Sequence, residues 1–270
     1  MPGGRAARLR VRGLIGYLEG WEGETVFFFD CNCRYGQARH PAFRYARTPQ
    51  DLLEEMDFCG IDRALVYPSG CRDSSPTTWN PRVVEDLTGE PRLEPTWALL
   101  PYQTGEQLPP EQFLLAMKAQ GVRALWAFPN EHNYRLDAVG CGELLELLTE
   151  RRVPLLAKLH AVALGDLLRE FPNLTAVAVN QGPHSLDRYL RPLLDTYPNL
   201  RLETSGLLVE GLIEEHCARY GPGRLLYGSA FPDNCAGGPL LRLAQAEIDD
   251  EAKQAIAGGN LRRLLEEVRL

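Results

Sequence analysis

From residue 26 onward the chain repeats one pattern, a short apolar run followed by an amphipathic segment with helical spacing. Eight of the apolar runs have the length of β-strands. They are residues 26–33, 63–68, 95–101, 122–128, 153–160, 174–179, 200–205 and 224–229. The amphipathic segments predict helices over residues 49–60, 110–121, 142–152, 164–171, 185–197, 207–221 and 249–268. Several of these helices end in Gly just before the next strand, a common helix stop.

The order of these elements predicts the fold class. Strands that are apolar almost throughout are buried on both faces, which is typical of a parallel sheet flanked by helices. Eight strand and helix units in about 245 residues match the size of a (β/α)₈ TIM barrel. The alternative is an open doubly wound sheet, but no GxGxxG or GxxxxGK[ST] motif follows the first strand. We therefore predict an α/β protein with a (β/α)₈ barrel.

The domain organisation follows from the same pattern. No low-complexity segment or composition break marks a linker after residue 24. We predict one barrel domain over residues 25–270, preceded by an N-terminal extension over residues 1–24. That extension has the pattern of an amphipathic helix over residues 6–19, and Arg and Gly interrupt its apolar positions. It therefore lacks the continuous apolar core of a signal peptide.

Composition and charge narrow the classes of function. The formal net charge is −7, which argues against a nucleic-acid-binding surface because phosphate binding needs clustered Lys and Arg. No apolar run reaches the ~18 residues of a membrane span, so we predict no membrane partner. The seven cysteines are scattered and an odd number, as expected of free thiols in a reducing cytoplasm. We predict a cytoplasmic protein with a small-molecule ligand, and homo-oligomers stay open.

Candidate functional residues lie at the carboxyl ends of the predicted strands, where TIM barrels carry their reactive groups. The polar and aromatic residues at these ends are Asp30, Asn32, Arg34, Tyr67, Ser69, Trp126, His132, Lys158, His160, Asn180, His184, Glu203, Ser205, Ser229 and Asp233.

Several segments resemble a known family in the correct order along the chain. They are residues 28–36, 51–68, 121–129, 150–160, 171–182, 197–206, 224–232 and 256–265. The chain resembles the amidohydrolase-related family of the amidohydrolase superfamily. This resemblance implies a TIM barrel. It also implies an activity such as metal-dependent hydrolysis, nonoxidative decarboxylation of aromatic or muconate acids, or hydrolysis of a pyrone-dicarboxylate lactone.

The metal-ligand positions that the resemblance implies are all substituted in this chain. Members of the family carry D-x-H-x-H on the first strand, a His at the ends of strands 5 and 6, and an Asp in a G-S-D-x-P segment. The matching positions here are Asn32, Arg34, Lys158, Asn180 and Ala230. Alanine and arginine cannot ligate a metal, and amides are weak zinc ligands. We therefore predict no metal and no other cofactor.

Other residues could rebuild a metal site. Cys31 and Cys33 are predicted to face the helices, because residues alternate across a strand and Asn32 and Arg34 are expected to face inward. His160, His184 and Asp233 could form a displaced site at the barrel mouth. The competing interpretation is that both histidines are loop residues satisfied by backbone hydrogen bonds.

The substituted positions suggest an anion pocket. Asn32, Arg34, Lys158 and Asn180 are expected to converge, and two buried cations require a compensating negative charge. A ligand carboxylate or phosphate could supply it, with Arg34 as the bidentate contact. Alternatively, Glu203 or Asp30 could supply it within an internal salt-bridge network. Trp126, His184, Glu203 and Asp233 complete the predicted substrate-binding set.

Two functions follow from these residues. The first is a metal-independent hydrolase or lyase acting on a small carboxylated substrate. In it Lys158, with a pKa lowered by Arg34 and desolvation, serves as base or Schiff-base nucleophile, and His160 is a second catalytic candidate. The second is a catalytically inactive barrel that binds a small anion or a protein partner. The sequence does not decide between them.

Overall fold

The structure is a computed structural model, and it describes residues 26–37, 44–181 and 186–270. The predicted N-terminal helix over residues 6–19 and the candidate His184 lie outside these ranges.

Parallel strands form the centre of the molecule. Each pairs with the next along the chain from β1 to β3 and again from β4 to β9. The strands are β1 Phe29–Tyr35, β2 Arg63–Pro68, β3 Leu93–Pro95, β4 Trp97–Ala98, β5 Leu125–Ala127, β6 Leu155–Ala157, β7 Ala176–Ala178, β8 Arg201–Glu203 and β9 Leu225–Leu226. Only Thr96 separates β3 from β4, and together they replace the single third strand predicted at residues 95–101.

Backbone hydrogen bonds close the sheet on itself. The Cys31 amide donates to the Tyr227 carbonyl oxygen at 3.0 Å, and the Arg34 amide donates to the Phe231 carbonyl oxygen at 3.1 Å. These bonds join β1 to the segment that begins with β9. With β3 and β4 counted as one interrupted strand, the architecture is the predicted (β/α)₈ barrel, and the prediction of the fold class is confirmed.

Helices surround the barrel. They are α1 Pro49–Cys59, α2 Ser69–Asp73, α3 Pro76–Asp86, α4 Pro110–Ala119, α5 Ala138–Glu150, α6 Ala161–Glu170, α7 Leu186–Thr196, α8 Leu212–Tyr220, α9 Gly237–Gln245, α10 Asp250–Gln254 and α11 Asn260–Glu266, with a π-helical turn at Ala255–Gly259. Within the described residues, the helices are too short or too polar for any of them to cross a membrane.

The sequence pattern missed helices α2, α3 and α9. Helix α3 contains Pro81 in its interior and begins with Pro76 and two threonines, so its composition is that of a loop. Helix α9 begins with two glycines, Gly237 and Gly238. Packing against the barrel outweighs these weak local preferences, since tertiary contacts routinely override helix propensity.

The apolar core has two layers, one inside the barrel and one between strands and helices. The inner layer consists mainly of Phe29, Cys31, Leu65, Tyr67, Trp126, Phe128, Leu156, Val177, Val179 and Leu226. Leu261 and Leu265 of helix α11 join it from the amino-terminal ends of the strands, where Arg123 donates to the Leu265 carbonyl oxygen at 3.5 Å. The barrel interior is therefore filled by apolar side chains at this end.

One buried side chain completes the sheet where it is interrupted. Asn80 of helix α3 donates from Nδ2 to the Ala98 carbonyl oxygen and accepts the Ala98 amide at Oδ1, both at 2.8 Å. A side-chain amide thus takes the place of a neighbouring strand for β4.

We expect the substitution Asn80→Ala to lower the free energy of unfolding by about 2–4 kcal/mol, because it leaves a buried N–H and a buried C=O of Ala98 without partners. Urea unfolding measures the change. The control is Asn199→Ala, which removes an exposed side-chain contact to the Asn173 carbonyl oxygen. Equal stability losses in the two variants would contradict this role of Asn80.

Candidate functional site

A β-bulge in β1 sets the direction of the first candidate side chains. Asp30 lies opposite Ala64 of β2, but Cys33 lies opposite Val66, so β1 holds one residue more than its partner in this interval. The simple alternation of a strand therefore fails between Asp30 and Cys33.

The bulge corrects the prediction for one of the two cysteines. Cys33 packs in the outer layer, as expected, but Cys31 packs inside the barrel with the inner core. Both thiols are buried, and burial raises their pKa well above the ordinary value, so both stay protonated. Neither cysteine has the thiolate character of a metal ligand or nucleophile.

Asp30 is a buried carboxyl that joins the two edges of the closed barrel. Its Oδ1 accepts the amides of Asn32 in β1 and Ser229 after β9, each at 2.9 Å. Desolvation raises the pKa of Asp30, and these hydrogen bonds partly oppose the shift. Asp30 thereby fixes the bulge and the segment that carries Ala230.

Glu203, at the end of β8, is the centre of a polar cluster at the mouth. Its Oε2 accepts the Asn180 amide at 3.0 Å, the Ser205 hydroxyl at 2.7 Å and Asn32 Nδ2 at 3.3 Å. Its Oε1 accepts the Ser205 amide at 2.6 Å. Asn32 Nδ2 also donates to Asn180 Oδ1 at 2.9 Å. The predicted convergence of Asn32 and Asn180 is therefore present, and both residues also contact Glu203.

The surroundings of Glu203 favour its protonated form. The carboxyl is fully buried, and desolvation raises its pKa, with a smaller contribution from the charge of Asp30. The Ser205 hydroxyl lies within 3.0 Å of two acceptors, Glu203 Oε2 and Asn180 Oδ1, but has a single hydrogen. A proton on Glu203 removes this conflict, because Glu203 can then donate to Ser205 while Ser205 donates to Asn180.

Gly228 makes room for this carboxyl. A Cβ at this position would lie 2.2 Å from Glu203 Oε1, a distance that real atoms do not show. Glycine is therefore required where the chain after β9 passes the end of β8.

Arg34 lies in a separate ion-pair network at the mouth. Its guanidinium is buried and donates from Nη2 to Asp233 Oδ1 at 2.5 Å and from Nη1 to Ser69 Oγ at 3.4 Å. Arg72 of helix α2 donates to Asp233 Oδ2 at 3.3 Å and to Asp73 at 2.8 Å. The charge that compensates Arg34 is thus Asp233, and neither Glu203 nor Asp30 fills the role expected of it.

Lys158 is exposed, so the expected pair of buried cations does not form. The desolvation that was expected to activate Lys158 as a base or nucleophile is absent. Because Lys158 lies one residue beyond β6, its side chain reaches solvent.

His160 is also exposed, and it caps helix α6. Its Nδ1 accepts the Val162 amide at 3.3 Å, and its ring contacts Tyr189 at 5.9 Å between centroids. This is the backbone-satisfied arrangement that was the alternative to a catalytic or metal-binding role. Asp233, the other described member of the displaced metal site, is engaged by the two arginines.

Aromatic side chains form one wall beside the Arg34 network. Tyr67 lies 4.7 Å from Trp126 between ring centroids, and Trp126 stacks on Phe128 at 5.5 Å. Burial raises the pKa of Tyr67, whereas the nearby charges of Arg34 and Arg72 lower it. The buried Trp126 Nε1 has no hydrogen-bond partner among the described residues.

Sequence reasoning missed two contributors to the site. Arg72 follows the second strand by four residues but is not among the candidate site residues of the sequence analysis. Its position shortly after a strand end is the sequence signal that could have identified it. In the sequence, Ser205 is identified only as a strand end, and in the structure its hydroxyl lies in hydrogen-bond contact with Glu203 Oε2 at 2.7 Å.

The fold and this mouth define a (β/α)₈ barrel with a polar site at the carboxyl ends of its strands. The chain belongs to the amidohydrolase family, since residues 36–266 match the sequence profile of that family. The comparison with curated proteins gives no match.

Solved structures of the same fold include two decarboxylases. The 2,6-dihydroxybenzoate decarboxylase from Rhizobium has a TM-score of 0.71 and 14% identity, covering 90% of this chain and 99% of its own. The 5-carboxyvanillate decarboxylase from Sphingomonas paucimobilis has a TM-score of 0.70, 12% identity and the same coverage. A probable 2-pyrone-4,6-dicarboxylic acid hydrolase from Acinetobacter baumannii has a TM-score of 0.66 and 14% identity, covering 88% and 99%. These identities establish the shared fold alone.

The raised pKa of Glu203 predicts a pH dependence of stability. The folded chain holds this proton more tightly than the unfolded chain, so its stabilising contribution is complete below pH 4.5, the ordinary glutamate pKa. It declines as the pH rises from there through the folded pKa. We expect Glu203→Gln to remove this decline, so that the free energy of unfolding falls less with rising pH than in the wild type.

Urea unfolding between about pH 4.5 and 8 measures both slopes. Glu146→Gln, at an exposed position of helix α5, is the control and should keep the wild-type slope. Parallel profiles for wild type and Glu203→Gln would contradict the raised pKa.

Proposed function

We propose that this chain binds a small carboxylated ligand at the barrel mouth, without a metal ion and without the metal-dependent hydrolysis typical of its family. The observation that carries the proposal is the buried guanidinium of Arg34, which is paired with a carboxylate. The family resemblance assigns this position to a metal ligand.

The chemistry of the substituted positions does not fit a divalent cation. Arg34 is positively charged and donates to Asp233, and Ala230 has no ligating atom. Asn180 Oδ1 already accepts a hydrogen bond from the side-chain Nδ2 of Asn32. Within residues 26–37, 44–181 and 186–270, no three His, Cys, Asp or Glu side chains are grouped to hold a metal ion. The acidic groups of this place, Glu203 and Asp233, are already engaged by hydrogen-bond donors, and the cationic groups Arg34 and Arg72 are suited to an anion.

A carboxylated ligand suits both the arginine pair and the neighbouring aromatic residues of the mouth. Arg34 and Arg72 offer two guanidinium groups to one carboxylate, a geometry that binds carboxylates tightly. Tyr67, Trp126 and Phe128 are buried beside these arginines, so the part of the ligand beyond its carboxylate would meet apolar groups. The structural neighbours include proteins named for carboxylated compounds, such as 2,6-dihydroxybenzoate and 5-carboxyvanillate, which agrees with this ligand class.

A metal-independent hydrolase or lyase is the second candidate, and Glu203 favours it. A buried carboxyl with a raised pKa is the ordinary form of a general acid, and Asn32 and Ser205 hold it in position. Turnover of a carboxylated aromatic acid by protein dialysed against a chelator, and its loss in Glu203→Gln, would establish this function. Lys158 and His160 enter neither function as catalytic groups.

We expect the purified protein to hold no stoichiometric transition metal after dialysis, because the positions of the family's ligands are Asn32, Arg34, Lys158, Asn180 and Ala230. Elemental analysis of the dialysed protein decides this. One equivalent of retained zinc or manganese would contradict the expectation and direct attention to His184.

We also expect at least one member of a panel of aliphatic, aromatic and dicarboxylic acids to raise the melting temperature in the presence of chelator. A ligand at about 100 times its Kd stabilises the folded state by about 2.7 kcal/mol. Arg34→Met should abolish this stabilisation, whereas Lys158→Met should preserve it, since Lys158 is exposed. No stabiliser across the panel, or an unchanged shift in Arg34→Met, would contradict the proposed ligand site.

A further inference from the structure

The carboxylate of Asp233 bridges two guanidinium groups that come from different parts of the barrel. Its Oδ1 accepts from Arg34 at the end of β1, and its Oδ2 accepts from Arg72 in helix α2 after β2. Each oxygen of one carboxylate thus binds a separate arginine. This is the contact geometry of a carboxylate-binding site, occupied by a carboxylate of the same chain.

The three partners differ sharply in exposure. The side chain of Arg34 is 2% exposed and that of Arg72 is 18% exposed, whereas that of Asp233 is 48% exposed. The cations are also held independently of Asp233, because Arg34 contacts Ser69 Oγ and Arg72 pairs with Asp73. Asp233 lies in the turn between β9 and α9, and its carboxylate is held by these two arginines alone among the described residues. The cations are therefore fixed, and the anion is the part that can leave.

The energetics also indicate that Asp233, and not either arginine, is the group that can leave the network. A half-exposed carboxylate regains hydration when it turns to solvent, so leaving the pair costs it little. A buried guanidinium without a partner is strongly unfavourable. Any molecule that displaces Asp233 must therefore bring a negative group of its own to Arg34.

We propose that Asp233 is an internal competitor at this site. The carboxylate of the ligand replaces that of Asp233 between Arg34 and Arg72, and Asp233 turns to solvent when the ligand binds. This inference rests on the proposed function, and it names the contacts that the ligand carboxylate makes. It also predicts that the wild type binds the ligand more weakly than Arg34 and Arg72 would without a competing carboxylate. The ligand can enter only in the fraction of molecules in which Asp233 has turned away from the arginines.

The test is the substitution Asp233→Asn, which keeps the size of the side chain and removes its charge. The probes are sodium acetate and sodium benzoate, titrated by calorimetry at constant ionic strength with sodium chloride as the balancing salt. We expect Asp233→Asn to bind benzoate about tenfold more tightly than the wild type, because the competing carboxylate is gone. We also expect acetate to raise its melting temperature more than that of the wild type.

Two further variants locate the effect. Asp57→Asn removes an exposed carboxylate that pairs with a different arginine, Arg92, and it should leave the benzoate affinity near the wild-type value. The double variant Asp233→Asn with Arg34→Met should lose the gain, because the buried guanidinium is absent.

A second measurement keeps the inference testable if Asp233→Asn fails to fold. The side-chain carboxyl ¹³C resonance of Asp233 in the wild type should move toward that of a solvent-exposed aspartate as benzoate is added. A resonance that stays unchanged at saturation would overturn the inference.

The outcomes separate this inference from the proposed function. Equal or weaker benzoate binding in Asp233→Asn would overturn the competitor role and leave Asp233 as a structural partner or ligand contact. The proposed function would still stand if the wild type binds a carboxylate through Arg34. Tighter binding in Asp233→Asn, with no carboxylate bound by the wild type, would support the competitor role and contradict the proposed function.

Discussion

Two buried carboxyl groups hold the barrel mouth together, and the candidate site depends on them. Asp30 accepts the backbone amides of Asn32 and Ser229, and Glu203 accepts those of Asn180 and Ser205. Each carboxyl thus joins backbone at the ends of different strands. These amides would otherwise be buried without partners, at a cost comparable to that of a lost hydrogen bond. The positions of Asn32, Asn180 and Ala230 follow from these contacts.

The family resemblance implies a cation at the barrel mouth surrounded by electron-donating ligands, and this arrangement has the opposite distribution of charge. A metal centre needs groups with lone pairs around a cation, but here Asn32 Nδ2 and the backbone amides of Asn180 and Ser205 donate hydrogen bonds to a central carboxyl, Glu203. Arg34 adds a second carboxylate contact through Asp233. The acidic side chains of the mouth, Glu203 and Asp233, are thus held by hydrogen-bond donors. The partly exposed Arg72 is one of these donors and contacts the Asp233 carboxylate.

The fold could be predicted from the sequence because it depends on repeated apolar runs, which remain visible whatever the details of packing. The site could be predicted only in part. Asn32 and Asn180 converge as the parallel strand ends require. The bulge in β1 cannot be recognised from the alternation of apolar and polar residues, so the predicted direction of the Cys31 side chain was wrong. The pairing of Arg34 with Asp233 joins positions 199 residues apart, and only the closed barrel brings them together. The exposure of Lys158 depends on where β6 ends, and strand ends are poorly marked in sequence.

The inner core also constrains the order in which the molecule can fold. Leu261 and Leu265 of helix α11 fill the amino-terminal end of the barrel, and the Tyr227 amide donates to the Ile256 carbonyl oxygen in the preceding π-helical turn. The interior is therefore complete only when helix α11 has docked. Strand β1, made first, must wait for contacts with residues more than two hundred positions later. Contacts of such long range slow folding, so we expect Phe29 and the inner core around it to become buried late in folding.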